Sequence, residues 1–232
     1  MTPFQQRQLD LMRQMESSFV TGESSSTIVS IQNNYATDPQ LCLTFVTFLP
    51  PDIMEVIDNK LIKTLRAIEP DFYYFPAESL HITIQNVRTV HNPPRFTAQD
   101  IAIVRSLAHE MFSKEPPFTF TLRGVLSMPT SVSIIALVTH AYDRFIKDFR
   151  QRLTDTGVSD DKTYFTDEMV FANATICRYT HAPSKSFLES VSGFRDIEVA
   201  TVTTTEVALI TGNAVAHPSK TTVLETYRLR KD

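Results

Sequence analysis

The chain has 232 residues, 42% of them hydrophobic and 21% charged, with a formal charge of −4; this suits one soluble domain of moderate size or two small ones, with ample material for a core. An acidic balance argues against a general nucleic-acid coat, which needs a basic surface to displace counterions, although a few local cations can still hold a small nucleotide or one end of a strand. Only five glycines are present, where average usage would give roughly 16, and neither G-x-G-x-x-G nor G-x-x-x-x-G-K-[ST] occurs, which excludes the usual glycine-rich phosphate loops.

Taken in chain order, residues 3–19 set Phe4, Leu9, Leu11, Met12, Met15 and Phe19 among glutamines and arginines, the spacing of an amphipathic helix. The stretch "TGESSSTIVS" reads as a polar linker. Residues 1–36 are therefore expected to form an extension, its helix packing either on the main domain or on a protein partner. From residue 37 onward the expectation is a single folded unit. "LCLTFVTFLP" reads as an apolar strand ended by Pro50 and Pro51, and "DIMEVIDNKLIKTLRAIE" as one helix with Asp52 as N-cap. A strand "SLHITIQNVRTV", a helix "TAQDIAIVRSLAHEMFSK" and a strand "FTFTLRGVLSM" come next.

The order then repeats, with the strand "SVSIIALVTH", the helix "AYDRFIKDFRQRLTDTG" and the strand "EMVFANATICRYT". Pro50 and His81 lie 31 positions apart, and His140 and Asn173 lie 33 apart. Matching spacings suggest an internal duplication. The remainder reads as a short helix and two or three antiparallel strands.

Cys42 and Cys177 both sit in apolar runs, too few for a disulfide framework and without partners at metal-ligand spacing, so they are expected as buried free thiols. The N-terminal stretch lacks an apolar signal region and no run approaches 18 apolar residues, which makes a cytoplasmic protein without membrane contact the default expectation.

Side chains alternate faces along a strand, so His81, Thr83 and Gln85 are expected on one face, and Asn173, Thr175 and Cys177 on the corresponding face of the repeat. A pseudo-twofold axis between the halves would set these two polar rows across one groove. A lone H-x-T means little, and a strand histidine is more often structural than catalytic. The second row is what gives it weight.

These residues resemble the 2H phosphoesterase superfamily, which includes 2′-5′ RNA ligase-like proteins and 2′,3′-cyclic nucleotide phosphodiesterases. The family carries two H-x-[ST]-x motifs, one per lobe; "FPAESLHITI" is similar to the first, and "NATICR" to the second except at its histidine. The resemblance spans residues 41–230. It implies an α+β fold, a duplicated two-lobe architecture with antiparallel sheets lining a central groove and helices outside. It also implies metal-independent acid/base chemistry on a nucleotide or RNA phosphodiester, without a cofactor. His81 would act as base or acid and Thr83 and Thr175 would donate hydrogen bonds to phosphate. Asn173 stands where the second histidine is expected, and a carboxamide exchanges no proton near neutral pH. Losing one positioned acid or base removes about 10²–10⁴ in rate.

Three further residues are candidates for ligand contact. Arg178 belongs to the family pattern, but on a regular strand its parity sets it opposite Thr175, where it would pair structurally. Tyr74 and Phe75 could stack on a base or simply pack in the core. The sequence thus supports three functional readings: an impaired phosphodiesterase, an inactive module that binds a nucleotide or RNA terminus, and an interaction scaffold using the N-terminal helix.

Overall fold

The computed structural model describes residues 1–230. Helix α1 (Pro3–Thr21) begins where Thr2 accepts from the Gln5 amide while the Gln5 side chain accepts from the Thr2 amide, and it ends at Gly22 with φ +74°. Strand β1 (Leu41–Phe48) is followed by α2 (Pro51–Ile57), a π turn at Asp58–Ile62 and α3 (Lys63–Ile68). This is the segment expected as one helix; Pro50, not Asp52, holds the N-cap position, because Pro51 suits the first helical turn and Asp52 already lies within it.

Next come β2 (Tyr73–Tyr74), β3 (His81–His91), α4 (Ala98–Phe112), β4 (Phe118–Met128) and β5 (Ser131–Leu137). Helix α5 (His140–Asp155), β6 (Ala172–Arg178), α6 (Lys185–Gly193), β7 (Glu198–Thr204), β8 (Glu206–Gly212) and β9 (Thr222–Arg228) complete the chain. His140 opens α5, capped by Thr139, and does not close the preceding strand.

All strands join one antiparallel sheet in the order β7-β4-β5-β6-β3-β1-β8-β9, with β2 on the free edge of β6. The order is symmetric about its centre: outward from the middle run β3, β1, β8, β9 on one side and β6, β5, β4, β7 on the other. These are the two lobes of the expected α+β architecture. They meet through a single backbone pair, Ile82 with Ala174.

The helices cover one face. Helix α2 lies against β7 and α6 against β4, while α5 lies against β3 and α4 against β9. Helix α2, which follows β1, thus packs on the lobe that β1 does not belong to, and α5, which leads to β6, packs on the lobe that β6 does not belong to, so both tie the halves together beyond their one shared backbone pair. The main core lies between, with Phe45 packed against Phe112 and Phe149 at ring separations of 5.4 and 5.3 Å.

Helix α1 occupies the opposite face. Met12 and Met15 bury against Leu126, Ile135 and Leu137 of β4 and β5, and Ile135 pairs with Asn173, so this is the face that carries the polar rows. Buried Gln8 bonds the Val170 carbonyl and the Val138 amide, and Arg13 reaches the Val125 carbonyl at 2.7 Å. The helix therefore packs on its own domain. Met12→Ala should lower unfolding stability by roughly 2–5 kcal/mol, the ordinary range for a buried methionine truncation, measured by denaturant midpoint at unchanged m.

Candidate functional site

Residues that flank a paired position on adjacent strands share the face opposite to it. Ile82 and Ala174 point to the helix side, fully buried. Their neighbours His81 and Thr83 on β3, and Asn173 and Thr175 on β6, therefore stand side by side on the other face, and all four line one cavity of about 320 Å³. A cavity of that size is at the small end of those that hold organic ligands.

Immediately after each threonine the strand carries an extra residue. The β1–β3 register slips between Phe45 and Val46, leaving Ile84 as a bulge, and the β5–β6 register slips between Val132 and Ser133, leaving Ile176 as a bulge. The halves thus share a backbone irregularity as well as an element order. Each slip re-aims the side chains beyond it. Cys177 pairs with core Val132, Gln85 pairs with core Phe45, and Arg178 pairs with Ser131 and lines the cavity. Strict alternation puts Cys177 in the groove and Arg178 behind it; the bulge at Ile176 reverses both, while Gln85, paired with core Phe45, still borders the cavity at its edge.

His81 is oriented by its approach segment. Its Nδ1 lies 2.7 Å from the Ser79 carbonyl, an acceptor, so Nδ1 carries the proton and Nε2 is left unprotonated in the neutral ring. Ser79 is itself fixed, its hydroxyl donating to the Ala216 carbonyl at 2.7 Å. Ala216 adopts φ +45°, an uncommon value for a residue with a side chain, in the β8–β9 connection that borders the cavity. Phe48 and Phe75 flank the imidazole, each ring centre 6.2 Å away. Burial lowers the His81 pKa below the ordinary value, the Arg178 charge adds to this, and the bond to Ser79 opposes both.

Asn173 turns inward. Its amide donates to Ser133 Oγ at 3.2 Å and Thr175 Oγ1 at 3.3 Å, and those two hydroxyls are 3.1 Å apart. With an acceptor site on Thr175 filled by the carboxamide, the threonine hydroxyl can direct its hydrogen outward. The other five histidines do not line the cavity: His91 bonds the Pro93 carbonyl, His109 bonds Glu225, His140 faces Arg144, His181 meets Glu69 and His217 meets Ser219. No group of three His, Cys, Asp or Glu side chains able to hold a metal occurs among the described residues.

Tyr74 is not in the groove either. It is buried, its hydroxyl donates to the Glu69 carbonyl and the Arg66 guanidinium covers its ring at 4.9 Å, so of the two aromatics expected near a base only Phe75 borders the cavity. Both cysteines are free and buried, and burial pushes the Cys42 thiol, which borders the cavity, up to about 11.

The cavity wall has a charge that the whole chain does not. Arg178, Lys162 and Arg150 line it, and no aspartate or glutamate does. Arg178 donates to the Ala214 carbonyl at 3.3 Å, and burial draws its pKa below the usual guanidinium value. Lys162 and Tyr164 come from the segment between α5 and β6, where no periodic pattern announced them. The N-terminal extension completes the wall with Met12, Met15 and Phe19 of α1 and residues 26–30, the latter anchored through Thr27 and Thr163, whose amides donate to each other's carbonyl and hydroxyl oxygens at 3.0 and 2.8 Å.

No family profile matches the sequence, and no curated protein matches it. Solved structures do match in fold. LigT of E. coli in its apo form superposes with a TM-score of 0.59 at 16% identity, covering 84% of this chain and 100% of LigT. TT0787 of Thermus thermophilus gives 0.58 at 18% identity, covering 82% and 99%. LigT complexed with 3′-AMP gives 0.56 at 16% identity, covering 84% and 100%. The chain has the two-lobed α+β fold of LigT and TT0787. No helix among the described residues is long and apolar enough to cross a membrane.

Because the folded His81 pKa lies below its unfolded value, the ring is expected to titrate below about pH 6.5. The sign follows: native stability contributed by the neutral ring is present above about pH 6.5 and is lost as pH falls through the folded pKa. An NMR titration of the His81 ring proton checks this, with a midpoint at or above the ordinary histidine value contradicting it.

Proposed function

We propose that the groove binds the phosphate of a nucleotide or RNA end carrying a 2′,3′-cyclic phosphate or a 2′-5′ linkage, and that it turns this group over slowly. The observation that carries this reading is the 2.7 Å contact of His81 Nδ1 with the Ser79 carbonyl, which leaves Nε2 free, in a cavity that Arg178 lines and whose wall has no carboxylate. A general base needs an unprotonated nitrogen near neutral pH, and a phosphate needs hydrogen-bond donors without competing acceptors. Thr83 and Thr175 supply hydroxyl donors and Arg178 supplies charge. The 3′-AMP complex of LigT, a protein of the same fold, is consistent with a nucleotide as ligand.

In hydrolysis of a cyclic phosphate, His81 Nε2 takes a proton from water while the water oxygen bonds to phosphorus. The bond from phosphorus to one ribose oxygen breaks, and that oxygen must gain a proton. A second histidine would deliver it. Asn173 cannot, and its amide hydrogens are committed to Ser133 and Thr175. Its contribution is to hold the Thr175 hydroxyl, so the phosphate-binding half of the site is assembled while the proton-delivery half is missing. The leaving oxygen then draws its proton from solvent, which slows the step.

The expected outcome is slow release of a nucleoside monophosphate from 2′,3′-cyclic nucleotides, with His81→Ala reducing it at least about 10²-fold and Asn173→His raising it by about 10²–10⁴. Product analysis by chromatography decides. Turnover in the His81→Ala protein equal to that of the parent would remove the acid/base reading, and no gain in Asn173→His would place the defect elsewhere than in the missing proton donor. A protein that binds the cyclic phosphate and releases no product is a recognition module only.

A further inference from the structure

Lys162 and Arg150 reach the cavity from elements other than the strand that carries Arg178. Arg178 follows Thr175 along β6. The segment bearing Lys162 is fastened instead beside the part of β3 that continues past Thr83: Thr89 donates its amide to Asp161 at 2.7 Å, Arg88 reaches the Ser159 carbonyl, and Gln85 donates to Asp160 and to the Tyr164 hydroxyl. Arg150 of α5 sets its guanidinium 3.9 Å from the centre of the Tyr164 ring and donates to Gln85 at 3.1 Å, while Lys162 Nζ lies 5.3 Å from the same ring. All three side chains line the cavity.

The acids nearby are occupied. Asp160 accepts from Tyr164, from Gln85 and from the Lys162 amide at 2.8 Å, Asp161 meets Arg95 at 3.9 Å, and Asp143 meets Lys147 at 3.1 Å. Burial lowers the Lys162 pKa, Arg150 and Arg178 lower it further, and Asp160 alone opposes them. Three cations therefore act on one another across a single small cavity with one offsetting carboxylate. Cations held this way, short of partners and half-buried, are stabilised by an anion brought from outside.

We propose that Lys162 and Arg150 form a second anion subsite, so that the ligand is a ribonucleotide carrying a second phosphate besides the one held at His81, Thr83 and Thr175. The Tyr164 ring, clamped beneath Arg150, fixes the guanidinium for that contact. This rests on the nucleotide reading above and narrows it. The shared chemistry is two phosphoryl groups on one ribose unit or on adjacent units; a 5′-phosphate on the terminal nucleotide and the next phosphate of a short RNA are its two sources.

Calorimetric titration of the full chain tests this with adenosine 2′,3′-cyclic phosphate, the same compound bearing a 5′-phosphate, and a dinucleotide ending in a 2′,3′-cyclic phosphate. The second phosphate is expected to tighten binding at least about tenfold, in the arm that matches the natural source. Lys162→Gln should reduce that gain to about threefold or less while altering affinity for the simple cyclic nucleotide by no more than about threefold. The exposed-lysine control Lys185→Gln should retain the full gain, which separates a local contact from general charge. Equal affinities for all three ligands in the parent would overturn the subsite and leave the cyclic-phosphate reading standing, as would equal weakening of every ligand by Lys162→Gln. Absence of binding by all three to the parent would overturn both.

Discussion

The two lobes touch along one backbone pair, Ile82 with Ala174, and the groove exists because the contact is so short. Two strands that paired along their whole length would make a continuous sheet with no opening between their side chains. Here the strands part on either side of that pair. One opening takes the two-residue β2, which pairs with Arg178 and Cys177; the other takes the segment around Asp160 and Asp161, bonded to β3. The only place where the lobes need no filler is where His81, Thr83, Asn173 and Thr175 stand together.

Much of this is legible in the amino-acid order, and the rest is hidden for specific causes. Period-two alternation locates His81, Thr83, Asn173 and Thr175 because the strands are regular through those positions, and the repeated element order exposes the duplication. Alternation fails one residue later in each half. A bulge at Ile84 or Ile176 leaves no mark in composition, since both are ordinary strand residues, and the second returns Arg178 to the groove while sending Cys177 to the core. Tyr74 and Phe75 are chemically alike in the sequence, and only the β2 pairing separates their directions. Lys162 and Tyr164 sit in an irregular segment held by side-chain bonds to β3, contacts between residues about 75 positions apart that no local pattern encodes.

A net-acidic chain with an acid-free cavity illustrates why whole-chain charge decides little about a small ligand. Asp160, just behind the wall, is taken up by Tyr164, Gln85 and the Lys162 amide, and screening beyond roughly 10 Å leaves the local set in control against acids farther off. Within that set the hydrogen bonds are as informative as the charges. The Ser79 carbonyl determines which imidazole nitrogen can accept a proton, and Asn173 determines which way a hydroxyl can point. Both are supporting contacts made by the fold before any ligand arrives.

Helix α1 lies over β4 and β5 alone, with residues 26–30 at the cavity rim. The quartet is already unequal about its axis, since β3 carries the imidazole of His81 where β6 carries the carboxamide of Asn173. Roofing one lobe and not its mate adds a second inequality: apolar Met12 and Met15 close the approach over β4 and β5, so the two ends of the groove offer different surroundings.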